Sequence, residues 1–208
     1  MPFIKQFYFK FVTSLFTTTF MSFIQFRKAI SNLITNFFSK KRQYLGDRRQ
    51  LNSIYEFNAL DPDGIKLDIS EFKGKKLLIV NAASYCRYTT QYSNLEDLKN
   101  KYKDTLAILI FPCNDFGRQE KGSDSEIQSF CEINYHLTIP IMKKSKIKKA
   151  GLNNIFLWLT NKTFNGWNNQ QPLWNFWKFL LDEDGKLMAV FPSRVEPTDI
   201  QLIELIES

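Results

Sequence analysis

The sequence predicts an α/β domain built on a mixed β-sheet flanked by helices, with an N-terminal β-hairpin and a helical N-terminal extension. Three observations predict it. Two short apolar runs of buried-strand length, Lys76–Asn81 and Thr105–Phe111, bracket a segment of helical period, which reads as a strand–helix–strand unit. Later in the chain Asp182-Glu183-Asp184-Gly185 separates two further apolar runs, and an Asp-Gly turn in that setting marks an antiparallel hairpin. The first fifty residues differ in composition from everything that follows.

Residues 1–50 carry nine Lys/Arg and a single acid, Asp47, whereas residues 51–208 carry 19 Lys/Arg and 20 Asp/Glu. The formal net charge of +7 therefore belongs to the leader, and the body lacks the basic face a nucleic-acid binder needs. Within the leader, residues 7–24 are apolar but contain Lys10 and six Ser/Thr, a poor transmembrane span. Residues 23–38 place Phe23, Phe26, Ile30, Leu33, Ile34 and Phe37 at helical spacing opposite Arg27 and Lys28. The pattern predicts a basic amphipathic helix suited to a membrane surface or to targeting, or one that packs on its own domain. The body, 51–208, is expected to be cytoplasmic. Membrane association, export or organelle targeting through residues 1–50 is the alternative.

In the body, Ser53–Phe57 and Ile65–Ile69 flank Asp61-Pro62-Asp63-Gly64 and read as strand, turn, strand. Lys76–Asn81 is a buried strand. Tyr92–Tyr102 has apolar or aromatic residues at 92, 95, 98 and 102 and reads as a helix. Thr105–Phe111 is a second buried strand, expected to stop at Pro112. Ser123 and Glu126 stand at capping-box spacing and open a helix running to about Tyr135. Phe176–Leu181 and Lys186–Phe191 form the late hairpin, and a final helix is expected over Thr198–Ile206 with Thr198 as its cap. The long stretch between Tyr135 and Trp174 reads as loop, and the Lys143–Lys149 run as a solvated face. This order is what a thioredoxin-like mixed sheet requires. No Gly-rich phosphate loop follows a strand, which disfavours a nucleotide-binding fold.

The chain has three cysteines, Cys86, Cys113 and Cys131, no CxxC, and one histidine, His136. That is neither a disulfide framework nor a Cys/His zinc set, so no metal or bound cofactor is expected. His136 reads as a helix-end or surface residue. Cys86 falls between a strand and a helix start near Thr89, where unpaired N–H groups and partial positive charge favour thiolate. A low-pKa thiolate attacks the O–O bond of a peroxide and becomes sulfenic acid. By position alone, a buried and inert cysteine is the competing reading.

Asn81-Ala82-Ala83-Ser84-Tyr85-Cys86-Arg87-Tyr88-Thr89 resembles the active-site segment of the glutathione peroxidase family, with cysteine in place of selenocysteine. Phe111 to Glu120, around Pro112-Cys113-Asn114, resembles the second family motif, and Trp174-Asn175-Phe176 the third. The similarity spans about Ser53 to Ile206. The resemblance implies a thioredoxin-like fold and a catalytic set of Cys86 as nucleophile with Gln119, Trp174 and Asn175 around the sulfur. These three side chains are hydrogen-bond donors suited to stabilising a thiolate and positioning a peroxide. Three positions depart from the family pattern: Arg87 for Gly, Asp115 for Gln, and Trp177 for Thr.

The resemblance further implies a thiol-dependent peroxidase that reduces hydrogen peroxide or organic and lipid hydroperoxides, an antioxidant function in the oxidative stress response. Thioredoxin or glutathione would be the reductant. Cys131 lies on the helix that carries the family's internal resolving thiol and is the candidate for that role, against the reading that it is buried and incidental. Cys113 is expected to be buried. The subunit-contact insertion of tetrameric members is missing before Trp174, which implies a monomer. A low-turnover redox sensor or binding module on the same fold is the alternative function.

Overall fold

The computed structural model describes residues 53–148 and 152–208, together with the backbone of a short strand at 42–43. Internal contacts divide the chain into two units, Met1–Lys40 and Lys41–Ser208. The amphipathic helix expected over 23–38 lies outside the described residues.

The second unit holds a five-stranded sheet in the order β1-β7-β6-β4-β5. Its strands are β1 (Arg42–Gln43), β4 (Lys76–Ala82), β5 (Leu106–Pro112), β6 (Lys178–Leu181) and β7 (Leu187–Phe191). Only β4 and β5 run parallel, in register from Lys76 opposite Leu106 to Ala82 opposite Pro112. β6 is antiparallel to both β4 and β7, and β1 is antiparallel to β7. A separate antiparallel pair is formed by β2 (Asn58–Leu60) and β3 (Lys66–Asp68).

Helices cover both faces. Alternate residues of β4 point opposite ways. Leu78, Val80 and Ala82 join a core with α1 (Gln91–Lys101), α2 (Asp124–Tyr135) and α5 (Ile200–Glu207). Leu77 and Ile79 join a second core with α3 (Asn154–Leu159) and the region of the β2–β3 pair. A one-turn helix, α4 (Lys162–Asn165), follows α3. This is the thioredoxin-like mixed sheet expected from the element order.

Several local expectations are corrected. Ser53–Phe57 is not a strand: Ser53 and Glu56 close a capping box on a 3-10 turn, Ile54–Glu56, and the hairpin pairs Asn58–Leu60 with Lys66–Asp68 instead. A side chain that satisfies its own backbone N–H groups competes with strand pairing. Strand β5 runs through Pro112, whose carbonyl accepts from Ser145 N (2.9 Å). A proline lacks the N–H but keeps the acceptor. Helix α1 starts at Gln91 rather than near Thr89. In α5 the cap is Asp199, not Thr198. The loop after Tyr135 contains α3 and α4, each too short for its period to stand out in sequence. The capping box of α2 matches the expectation, with Ser123 and Glu126 bonded reciprocally, and His136 sits exposed at that helix's left-handed cap.

Candidate active site

Cys86 lies just past the C-terminal end of β4, 8% exposed. The chain there makes successive turns: Thr89 N donates to Cys86 O (3.0 Å) and Tyr92 N to Thr89 O (3.1 Å). Thr89 Oγ1 accepts from Cys86 N (3.0 Å) and contacts the carbonyls of Ala83 and Cys86. This pins the loop, and Tyr88 N–H donates to Cys86 Sγ at 3.5 Å. The donor aimed at the sulfur thus belongs to these turns, ahead of the helix proper. Arg87 is exposed and stacks on the ring of Tyr88 at 4.7 Å.

Gln119 is brought to this loop by backbone geometry. Gly117 (φ +65°) and Arg118 (φ +54°) are both left-handed, and Gln119 O accepts from Tyr85 N, next to Cys86 (3.1 Å). A Cβ on Gly117 would stand 3.3 Å from the Trp174 ring and 3.4 Å from Gln119 Cγ, so the left-handed backbone and the close side chains together favour glycine here. Trp174, 36% exposed, also packs against Phe116 with ring centroids 6.3 Å apart.

Asn175 is fully buried and joins a directed chain. Cys113 S–H donates to Asn175 Oδ1 (3.6 Å), and Asn175 Nδ2 donates to Gln119 Oε1 (3.1 Å). That polarity leaves the amide nitrogen of Gln119 as the unshared donor at the end of the chain. The structure thus bonds Gln119 both to Asn175, the chain neighbour of Trp174, and to Tyr85, the chain neighbour of Cys86.

Cys113 has no exposure, and burial pushes its thiol up to about 12, so it stays an S–H donor. Cys131 is likewise buried on α2 and pushed up to about 12, mainly by burial, with the neighbouring Tyr92 hydroxyl opposing and the Glu120 charge adding to the rise. The Asp115 carboxylate is engaged by the backbone, accepting the N–H groups of Ile147 (2.6 Å) and Lys148 (2.9 Å). Trp177 is buried, its backbone N–H bonded to Asn81 Oδ1 (3.0 Å).

Glu120 was not singled out by sequence, although it stands inside the second motif. Fully buried, it accepts from Ser84 N (2.7 Å) and Ser84 Oγ (3.1 Å), tying that motif to the Cys86 loop. Its Oε1 has no partner. Burial raises its pKa above the ordinary carboxylate range, against the hydrogen bonds from Ser84 and the charge of Lys144. A groove of about 760 Å³ opens here, lined by Tyr85, Gln119, Glu120 and Phe130 with Arg118 and Lys121. Among the described residues no group of three or more His, Cys, Asp or Glu is placed to hold a metal, and no helix is long and apolar enough to cross a membrane.

A family model, Glutathione peroxidase, matches residues 54–160. The chain is 40% identical to glutathione peroxidase-like peroxiredoxin 2 of Saccharomyces cerevisiae over 149 residues, 71% of this chain and 92% of the relative. It is 39% identical to the glutathione peroxidase homolog BsaA of Staphylococcus epidermidis, over 73% of this chain and 96% of the relative. It is also 39% identical to the hydroperoxy fatty acid reductase gpx1 of Synechocystis, over 72% and 92%. Among solved structures, T. cruzi GPX1 superposes with a TM-score of 0.59 at 30% identity, over 76% of this chain and 98% of that one. A thioredoxin-family thiol:disulfide interchange protein of Chlorobium tepidum shares the fold at 12% identity, over 79% of this chain and 100% of that one, with a TM-score of 0.55.

Proposed function

The chain belongs to the glutathione peroxidase family and is a cysteine-dependent peroxidase, and from that premise we propose that Cys86 is its nucleophile, with Gln119, Trp174 and Asn175 as the polar groups around the sulfur. The Cys86 thiolate attacks one peroxide oxygen. The S–O bond forms as the O–O bond breaks, and the departing alkoxide takes a proton to leave as alcohol, or as water from hydrogen peroxide. A thiol then attacks the sulfenic sulfur, forming a disulfide and releasing water, and a second thiol returns Cys86 to its reduced form.

The observation that carries this reading is the chain from Cys113 through Asn175 to Gln119, which ends on an unshared amide donor bonded by its backbone to the Cys86 loop. Preorganised donors of this kind stabilise charge that develops on a sulfur or a leaving oxygen without reorganising. The Tyr88 N–H at Cys86 Sγ adds a further donor to the thiolate.

The substrate is a hydroperoxide and the reductant a thiol. The likeness to a hydroperoxy fatty acid reductase supports organic hydroperoxides within the range, and thioredoxin or glutathione is the thiol source. Cys131 is the candidate resolving thiol of the thioredoxin route. Its burial and raised pKa require α2 to open before that thiol ionises and reaches Cys86.

Turnover of hydrogen peroxide and of a fatty-acid hydroperoxide, with thioredoxin or glutathione supplied in turn, tests the reading. Wild type is expected to turn over with at least one reductant, and Cys86→Ser to fall to background. Mass spectrometry of the oxidised protein identifies the route by a Cys86–Cys131 disulfide or a glutathione adduct on Cys86. A wild type no faster than Cys86→Ser would leave only the redox-sensor reading.

A further inference from the structure

The turn from Trp174 to Trp177 carries two of the four proposed site residues, and its backbone groups are held by side chains reaching in from elsewhere. Asn81 Nδ2 donates to Trp174 O (3.1 Å), Ser193 Oγ to Asn175 O (2.5 Å) and Lys178 Nζ to Phe176 O (2.9 Å). Phe176 N donates in turn to Asn81 O (2.6 Å). Phe176 itself sits at φ +63°, a left-handed conformation that a bulky residue keeps only where its surroundings over-determine it.

Lys178 is the unexpected member. It has no exposure, and lysine is rarely buried fully unless paired, because its amine loses water. Its second bond runs to Gln91 Oε1 (2.6 Å), on the first residue of α1, the helix that follows the Cys86 loop. Gln91 Nε2 continues to Ser193 O (2.7 Å) and Glu196 Oε1 (3.0 Å). Lys178, Gln91, Ser193 and Asn175 thus form one buried polar circuit joining the turn to the helix.

We propose that Lys178 is a positioning residue for the peroxidase site, which ties the Trp174–Asn175 turn to the start of α1 and so fixes the donors of that turn relative to Cys86; this rests on the role proposed for Cys86 above. Burial pulls the amine down to about 7, with the Glu196 carboxylate opposing. A methionine would fill the same space without burying an amine, but it would leave Phe176 O and Gln91 Oε1 without this donor and the turn untied from the helix. A displaced catalytic donor of about 1 Å lowers a rate by roughly 100-fold, which sets the scale of the expected effect.

The test is stopped-flow oxidation of Cys86 by hydrogen peroxide in wild type, Lys178→Met, Lys178→Arg and Gln91→Met. Folding is checked by near-ultraviolet circular dichroism, and Cys86 alkylation by monobromobimane is followed to its high-pH plateau. A folded Lys178→Met is expected to lose about 10- to 100-fold in peroxide rate while the alkylation plateau stays within about twofold. Lys178→Arg is expected to recover part of the loss. Gln91→Met, which cuts the same tie at the helix end, is expected to change the rate in the same direction and decides the matter if Lys178→Met does not fold. Wild-type peroxide rate in the folded variant, or peroxide and alkylation rates changing together as in a general loosening, would overturn the proposal alone. A wild-type Cys86 no faster than free cysteine would overturn the peroxidase reading and this proposal with it.

Discussion

The thiols of Cys86 and Cys113 lie at the ends of adjacent parallel strands and meet different surroundings. Cys86 receives the Tyr88 N–H at its sulfur, whereas Cys113 gives its own proton to Asn175 Oδ1 and is held as a thiol by burial. Cys113 thereby sets which way the Asn175 amide faces and, through it, which end of the Gln119 amide remains unshared. Removing that donor is expected to matter more than removing the sulfur. Cys113→Ala should slow peroxide oxidation of Cys86 by about 3- to 10-fold, the worth of one modest hydrogen bond of about 1 kcal/mol. Cys113→Ser, which keeps a donor, should stay within about twofold. Stopped-flow rates on the two variants check this, and equal losses in both would count against an orienting role. Asp115 shows the same dependence on surroundings: a carboxylate that sequence sets beside the site loop spends its charge on the N–H groups of Ile147 and Lys148.

The β6–β7 hairpin joins the site to the far side of the domain. Lys178, at its start, adjoins the Trp174–Trp177 turn. Four residues on, the turn closes with Gly185 N on Asp182 O (3.0 Å) and Lys186 N on Asp182 Oδ1 (2.7 Å). Tyr55 OH donates to Glu183 O (2.9 Å), docking this tip on the 3-10 turn after Ser53. Gly185 sits at φ +77°, where a Cβ would lie 2.7 Å from both Ile54 Cγ2 and Tyr55 Cε2. Gly185→Ala is therefore expected to cost about 1–3 kcal/mol through backbone strain and overpacking, read as a lower Tm. The peroxide rate of the folded fraction should not change, because the strain falls at the opposite end of β6 from Trp174. The 3-10 turn that receives the hairpin is the segment that alternation misreads as a strand. Its capping box is local chemistry, but choosing turn over strand needed the docked tyrosine.

Across the whole molecule, the sheet gathers at one end what is distant in sequence, and Glu120 is the buried carboxylate that joins the Cys86 loop to the second motif. Because burial raises its pKa, the folded state binds this proton more tightly than the unfolded chain does. Its contribution to stability is then fully present below the unfolded value near 4.5 and is lost as pH rises through the raised one. Urea unfolding from acid to neutral pH should show Glu120→Gln gaining on wild type as pH rises and converging with it at low pH. Parallel curves would reject the linkage. Hydrophobic period and cap spacing are local properties, and they suffice to place the strand–helix–strand core, the late hairpin and the α2 capping box, while the motif residues nominate the candidate site. It took the packed molecule to reveal that Cys113 bonds Asn175, that Asp115 is engaged by the Ile147 and Lys148 N–H groups, that Glu120 is buried with one oxygen unpartnered, and that Lys178 links the third motif to Gln91. Each depends on which distant groups share a low-dielectric interior, where hydrogen bonds and charges take their strength from partners no spacing rule reveals.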